Sequence, residues 1–287
     1  MSRRARERRL GPAGWMGAGV VAGFVLLAVT GPALAPYRVT ELAGDPLEGP
    51  SLHHLFGTNS VGQDLTSQLL AGARASLVIA LLAGGGTLLL GALVGAVAGW
   101  RGGATDSAVM RVVDVVLVLP PIPLMVVLGA SIDPGLVGLS AIIVLVSWPV
   151  YARLVRAAVL PLRRRADIRA AVGFGATTGQ VLRTHVLPDV GLVLIAGLIS
   201  AVERAIAIEA GLAFLGLVNP TRASWGSIMR DALDFRGLFL TDSWRWWLLP
   251  PVAAVALLLV GLALVGTSVE RRLDPRLARH QPVGVDG

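Results

Sequence analysis

The feature that most constrains this chain is the repeated appearance of apolar runs about 20 residues long, the length a helix needs to cross a hydrocarbon core about 30 Å thick. Six can be drawn, over residues 14–34, 75–100, 107–130, 136–160, 190–217 and 246–267. Lipid offers no partner to a bare backbone amide, so such runs fold as helices that satisfy themselves. The expected fold class is therefore all-α, a polytopic membrane protein with six transmembrane helices. Composition agrees: 54% of the 287 residues are hydrophobic and only 15% are charged, too little polar material to cover a soluble domain of this size. Cysteine is absent, which excludes disulfides and thiolate metal sites. His53 and His54 form the one local histidine cluster and read as solvated loop residues. No metal site and no catalytic constellation is expected.

The formal net charge of +7 does not point to nucleic acid, because the arginines sit beside the spans, where they fix topology against anionic membrane lipids. Residues 1–13 carry five arginines against one glutamate, and residues 161–189 carry five against two acids; residues 35–73 have one arginine and four acids. The basic segments are expected on the cytoplasmic side of a multi-pass inner-membrane protein, both termini included. Four regions follow: a cytoplasmic tail with the first span (1–34), an extracytoplasmic segment (35–73), a five-helix core (74–267) with a cytoplasmic loop at 161–189, and a cytoplasmic tail (268–287). The first apolar run is read as a retained span rather than a secretory signal, since no convincing cleavage site follows it.

Several spans carry details. Residues 60–77 read either as an interfacial amphipathic helix or as the frayed start of span two. Gly91, Gly95 and Gly99 recur every four residues, a stripe suited to close helix contact. In span three, Asp114 stands three residues after Arg111, close enough to pair. Pro120, Pro121 and Pro123 must interrupt or kink that span, and a break inside a membrane is tolerated only against protein or water, which makes span three a candidate pathway wall. Asp133-Pro134-Gly135 reads as a tight external turn. Glu203, Arg204 and Glu209 lie in span five, with Arg204 expected to neutralise either carboxylate. Trp225, Trp244, Trp246 and Trp247 read as interfacial anchors.

The basic stretch from Pro161 to Pro188 is the one long polar loop with helix-forming content. Asp167 can cap a short helix carrying Ile168, Ala171 and Val172 on one face. Gly173 and Gly175 end it, and a second short helix is expected over about 178–187. A structured loop between spans implies a docking partner.

Ala170-Ala171, Gly175-Ala176 and His185-Val186-Leu187-Pro188 together resemble the coupling-loop signature of permeases of binding-protein-dependent ABC importers, closest to the second permease of the dipeptide, oligopeptide and nickel group. The resemblance extends over nearly the whole chain, from Leu55-Phe56-Gly57-Thr58-Asn59 through Ser147-Trp148-Pro149 and Phe214-Leu215-Gly216-Leu217 to Leu273-Asp274-Pro275-Arg276. It implies a type I importer fold and a pore-forming, non-catalytic subunit for short peptides. Its implied partners are a homologous second permease, two cytoplasmic ATPase subunits that hold ATP and Mg2+, and an extracytoplasmic substrate-binding protein. This chain would hold no cofactor, consistent with its lack of a phosphate-binding loop motif. By the same resemblance Asp167, Ile168, Arg169, Ala170, Ala171, Gly175, Ala176, His185 and Pro188 form the ATPase-coupling element. The sequence departs from the signature at Arg169, where glutamate is common, at Asp167 in place of an aromatic residue, and at Asp189 in place of asparagine. Asp114, Pro120, Pro121, Glu203, Arg204 and Glu209 are the pathway or gate candidates. A nickel-chelate permease of the same group is the alternative substrate reading. A secondary transporter or a non-transporting scaffold are the alternatives from other classes; the former would show an internal repeat.

Overall fold

The computed structural model describes residues 11–132, 135–217 and 223–273. Within them the regular structure is helical, with only two isolated bridges, Leu42 with Gln63 and Thr58 with Asp64, in the segment of turns between the first two long helices. The helices are α1 (Pro12–Leu34), α2 (Leu65–Arg101), α3 (Gly103–Val118), α4 (Pro121–Ile132), α5 (Leu136–Val159), α6 (Ala166–Gly173), α7 (Thr178–Val181), α8 (Leu187–Phe214), α9 (Trp225–Asp234), α10 (Trp244–Trp247) and α11 (Leu249–Leu273). Five helical stretches are long and apolar enough to cross a membrane. A sixth appears if α3 and α4, bent by 80° at their break, count as one span.

That bend lies where the prolines require it. Pro120 and Pro121 cannot donate to the preceding turn, so the first helix stops at Val118 and the second restarts at Pro121. Both prolines are exposed at the corner.

α2 is the central pillar, packed against α1, α5 and α8, while α11 closes the bundle against α1 and α8. Its glycine stripe performs as expected. A Cβ on Gly95 would lie 2.2 Å from the Ala152 carbonyl oxygen of α5, and one on Gly84 would lie 2.7 Å from the Val202 backbone of α8. Only glycine lets these backbones meet so closely. The 37 residues of α2 span about 55 Å at 1.5 Å per residue, well beyond the hydrocarbon. No separate interfacial helix precedes it: the helix begins at Leu65, where Asp64 caps it by accepting from the Ser67 amide at 2.7 Å. Such a cap contributes about 1 kcal/mol.

The preceding segment, residues 35–64, folds into a compact set of turns above the spans. Asn59 accepts from the amides of Val61 and Gln63, and Thr58 donates to the Asp45 carbonyl. His54 corrects the reading of a solvated histidine pair: it is buried, with Nδ1 3.0 Å from Asp64 Oδ1. The α2 cap needs Asp64 in place, and a buried carboxylate requires partners; His53 remains exposed. Trp225 is likewise not an interfacial anchor. Its indole is buried against the edge of Phe24 and donates to the Leu69 carbonyl at 3.2 Å. Trp247 is also buried, while Trp244 and Trp246 are half-buried.

The short helix expected over 178–187 does not stand alone. α7 passes through a wide π turn, Leu182–Val186, directly into α8, so one helical stretch extends from Gly179 to Phe214. The charge-based reading of the N-terminal ten residues, most of the Asp133-Pro134-Gly135 turn, residues 218–222 and the tail beyond Leu273 lie outside the described residues.

Candidate functional site

Two regions gather chemically expressive side chains. The first is the projection formed by α6 and α7 at the junction of α5 and α8. Ile168 is its root: fully buried, it packs with Val155, Val159, Val181, Val186 and Val190. One apolar side chain thereby ties α6 to the ends of two long helices. Val172, placed by helical spacing on the same face, is instead exposed, because the face that meets the bundle narrows to a single turn.

Asp167 does not cap α6. Arg165 occupies the N-cap without a side-chain cap bond, and Asp167 sits in the first turn, where the helix dipole favours an acid. Arg165 clamps the projection, donating to both oxygens of Asp167 at 2.7 and 3.1 Å and to Asp189 at the start of α8. Its guanidinium holds the Asp167 carboxyl below the usual carboxylate range. Two of the three positions that depart from the signature, 167 and 189, are thus bound by one arginine.

Gly175 has φ +88° with open space around it. It is needed for its left-handed backbone rather than for close approach. Ala176 packs partly against the Ile168 cluster. Arg169, Ala170 and Pro188 are exposed, and Ala171 and His185 are half-buried. A groove of about 540 Å³ lies between the arms of the projection, lined by Ala171, Phe174, Gly175, Ala176, Gln180 and His185, among others. Phe174, at 92% exposure, is a residue that sequence reasoning passed over; an aromatic beside the helix-ending glycine was the available signal.

The second region is the polar face shared by α3, α5 and α8. Asp114 does not pair with Arg111 but reaches across to Arg153 of α5, and Asp106 accepts from Arg156 Nε and Nη2 at 2.5 and 2.6 Å. Two arginines three residues apart on α5 therefore hold two acids eight apart on α3. Such cross-helix pairing was invisible before the helices were docked.

The triad of span five is also dispersed. Arg204 is exposed and Glu203 half-buried, whereas Glu209 is completely buried. Five residues at 100° each separate the Arg204 and Glu209 directions by about 140°, so the expected neutralisation of Glu209 does not occur; Glu203 feels the Arg204 charge without forming an ion pair among the described residues. Among the described residues neither Glu209 oxygen has a hydrogen-bond partner, although the Ser224 and Ser76 hydroxyls lie beside them. The structure thus separates the pathway candidates into an exposed set (Asp114, Pro120, Pro121, Arg204) and a buried carboxyl.

A family model described as binding-protein-dependent transport system inner membrane component matches residues 91–279. The chain is 32% identical to the dipeptide transport system permease protein of Bacillus subtilis (strain 168), over 96% of this chain and 85% of that protein. It is 30% identical to the oligopeptide transport system permease protein of the same organism, over 91% and 84%. A dipeptide transport system permease protein of Alkalihalophilus pseudofirmus is 31% identical, over 90% and 84%. With a helical bundle of this kind and a match covering most of its length, this chain belongs to the family of binding-protein-dependent transport system inner membrane components, as a multi-pass transport permease subunit.

Proposed function

We propose that this chain is one of two pore-forming subunits of an ATP-driven importer for short peptides, and that the α6–α7 projection is its coupling element. The observation that carries the reading is the two-sided build of that projection. Ile168 roots one side in the bundle, while Val172 and Phe174 leave apolar surface open on the other, beside a groove of mixed polar and apolar lining. An exposed apolar patch on a rigid, charge-clamped mount fits a protein partner.

The partner on that side is a pair of ATPase subunits, which supply ATP and Mg2+; a homologous permease completes the pore, and a binding protein delivers substrate at the opposite face. Both termini and the projection lie in the cytoplasm, and residues 35–64 outside it, in line with the arginine bias. Closure of the ATPases moves the projection as a body, and its direct continuation through α7 into α8 carries that motion into the spans. The peptide substrate follows the relatives, which are named for dipeptide and oligopeptide transport.

The test is reconstitution of the purified complex in proteoliposomes with the co-transcribed binding protein. ATP-dependent accumulation of a radiolabelled dipeptide is expected, with co-purification of an ATPase and a second permease. ATP-independent uptake, or isolation of the chain without an ATPase, would overturn the reading.

A further inference from the structure

An open pocket of about 490 Å³ lies at the α5–α8 seam, lined by Leu117, Val150, Tyr151, Arg153, Ser200 and Arg204, among others. Its depth is given by Ser200, which stands 13 residues from Leu187 and 14 from Phe214, near the middle of α8. The Tyr151 and Ser200 hydroxyl oxygens lie 3.5 Å apart across the α5–α8 seam, so Tyr151 shares that depth. Arg204 is one helical turn further along α8, and its exposed side chain lines the cavity.

A guanidinium at this level of a membrane bundle does not face hydrocarbon; it faces water, a ligand or another chain. Arg204 makes no ion pair among the described residues. Arg153 is engaged to Asp114 through Nη2 alone, which leaves its Nε and Nη1 donors for a further acceptor. The Arg153–Asp114 pair is neutral, so Arg204 is the one unbalanced charge among the lining residues; Glu203 lies within Coulomb reach of it but does not line the pocket. Two forked donors and two hydroxyls around one void suit a carboxylate, which arginine binds in two-point fashion.

We propose that this cavity is a subsite of the translocation path that takes the terminal carboxylate of the passing peptide, with Arg204 as its principal ligand and Arg153, Tyr151 and Ser200 around it. The inference rests on the peptide-importer reading above. The site holds the carboxylate transiently at mid-membrane, where a charged group would otherwise meet a barrier. The binding protein's own selectivity is a separate matter.

The test compares a dipeptide with its C-terminally amidated form in proteoliposomes of the complete complex, unaltered or carrying Arg204→Gln or Arg204→Lys. Loss of one charge-assisted contact is expected to lower uptake of the free-acid peptide about tenfold in Arg204→Gln. Amide uptake should stay at the unaltered rate, and Arg204→Lys should recover part of the loss. Comparing each peptide with itself across variants cancels any preference of the binding protein. In parallel, a peptide with a photoreactive diazirine in its last side chain and a free carboxylate should crosslink during turnover to the α5 and α8 residues of the cavity. Equal uptake of the acid in all variants, with crosslinks elsewhere, would overturn the proposal. So would equal loss of both peptides together with loss of the second permease on purification, which would make Arg204 a subunit contact. If the unaltered complex moves neither peptide, the peptide reading itself fails; if it moves them but the variants do not discriminate, only the subsite fails.

Discussion

At Glu209 a carboxyl is completely buried with no hydrogen-bond partner among the described residues, beside two serine hydroxyls and away from Arg204. Leaving charge in such a place is costly. Glu209→Gln, which preserves shape and removes the ionisable group, is therefore expected to keep the melting temperature of the detergent-solubilised complex near that of the unaltered protein. Glu209→Lys should abolish assembly. A Glu209→Gln protein as poorly assembled as the lysine variant would show that the ionised group itself is required. Arg204 presents the opposite case: exposed and outside any ion pair among the described residues, its replacement is expected to change stability by no more than about 0.5 kcal/mol. Gly95 is constrained by contact alone. A methyl group there would meet the Ala152 carbonyl, so Gly95→Leu must separate α2 from α5 and should cost about 3 kcal/mol or more, seen as loss of monodisperse protein in size-exclusion chromatography.

At the scale of elements, the sequence disclosed what depends on local pattern and concealed what depends on docking. The spans were legible because lipid imposes a length and a composition. The break at Pro120 was legible because the pyrrolidine ring removes a donor wherever it is placed, and the Gly91, Gly95 and Gly99 stripe because spacing alone assigns a helix face. What was concealed lies between elements. Asp114 bonds Arg153 rather than Arg111, Trp225 lies inside rather than at an interface, and His54 turns inward to Asp64; each depends on a neighbour distant in sequence or on a turn no local pattern encodes. The projection combines both kinds. Its glycines and alanines were visible, but the Arg165 clamp on Asp167 and Asp189 was not. Because the folded Asp167 carboxyl is held below its ordinary range, its share of the clamp is complete above the unfolded pKa and disappears only as pH falls through the lowered value. Hydrogen exchange of the α6 amides should accordingly show unchanged protection near neutrality and faster opening only in acid. Equal loss of protection on mild acidification would place the holding force elsewhere.

In the whole molecule, one continuous helical stretch joins a bundle centred on α2 to a rooted projection. Orientation is open to a direct check, since the native chain has no cysteine. A single cysteine at Thr177 is expected to resist membrane-impermeant maleimide in sealed cells and to react after permeabilisation, and a cysteine at the exposed Leu52 to do the reverse. The central claim, that the projection couples this permease to ATP hydrolysis, is tested most directly at Gly175. A β-branched residue there resists φ +88°, although its Cβ meets no neighbouring atom, so the turn is distorted while the spans keep their packing. In proteoliposomes of the assembled complex, Gly175→Val is predicted to leave insertion and ligand capture by the binding protein intact. Peptide uptake and binding-protein-stimulated ATP hydrolysis should fall together, by about tenfold or more. Uptake and stimulation both at the unaltered rate in Gly175→Val would contradict the claim.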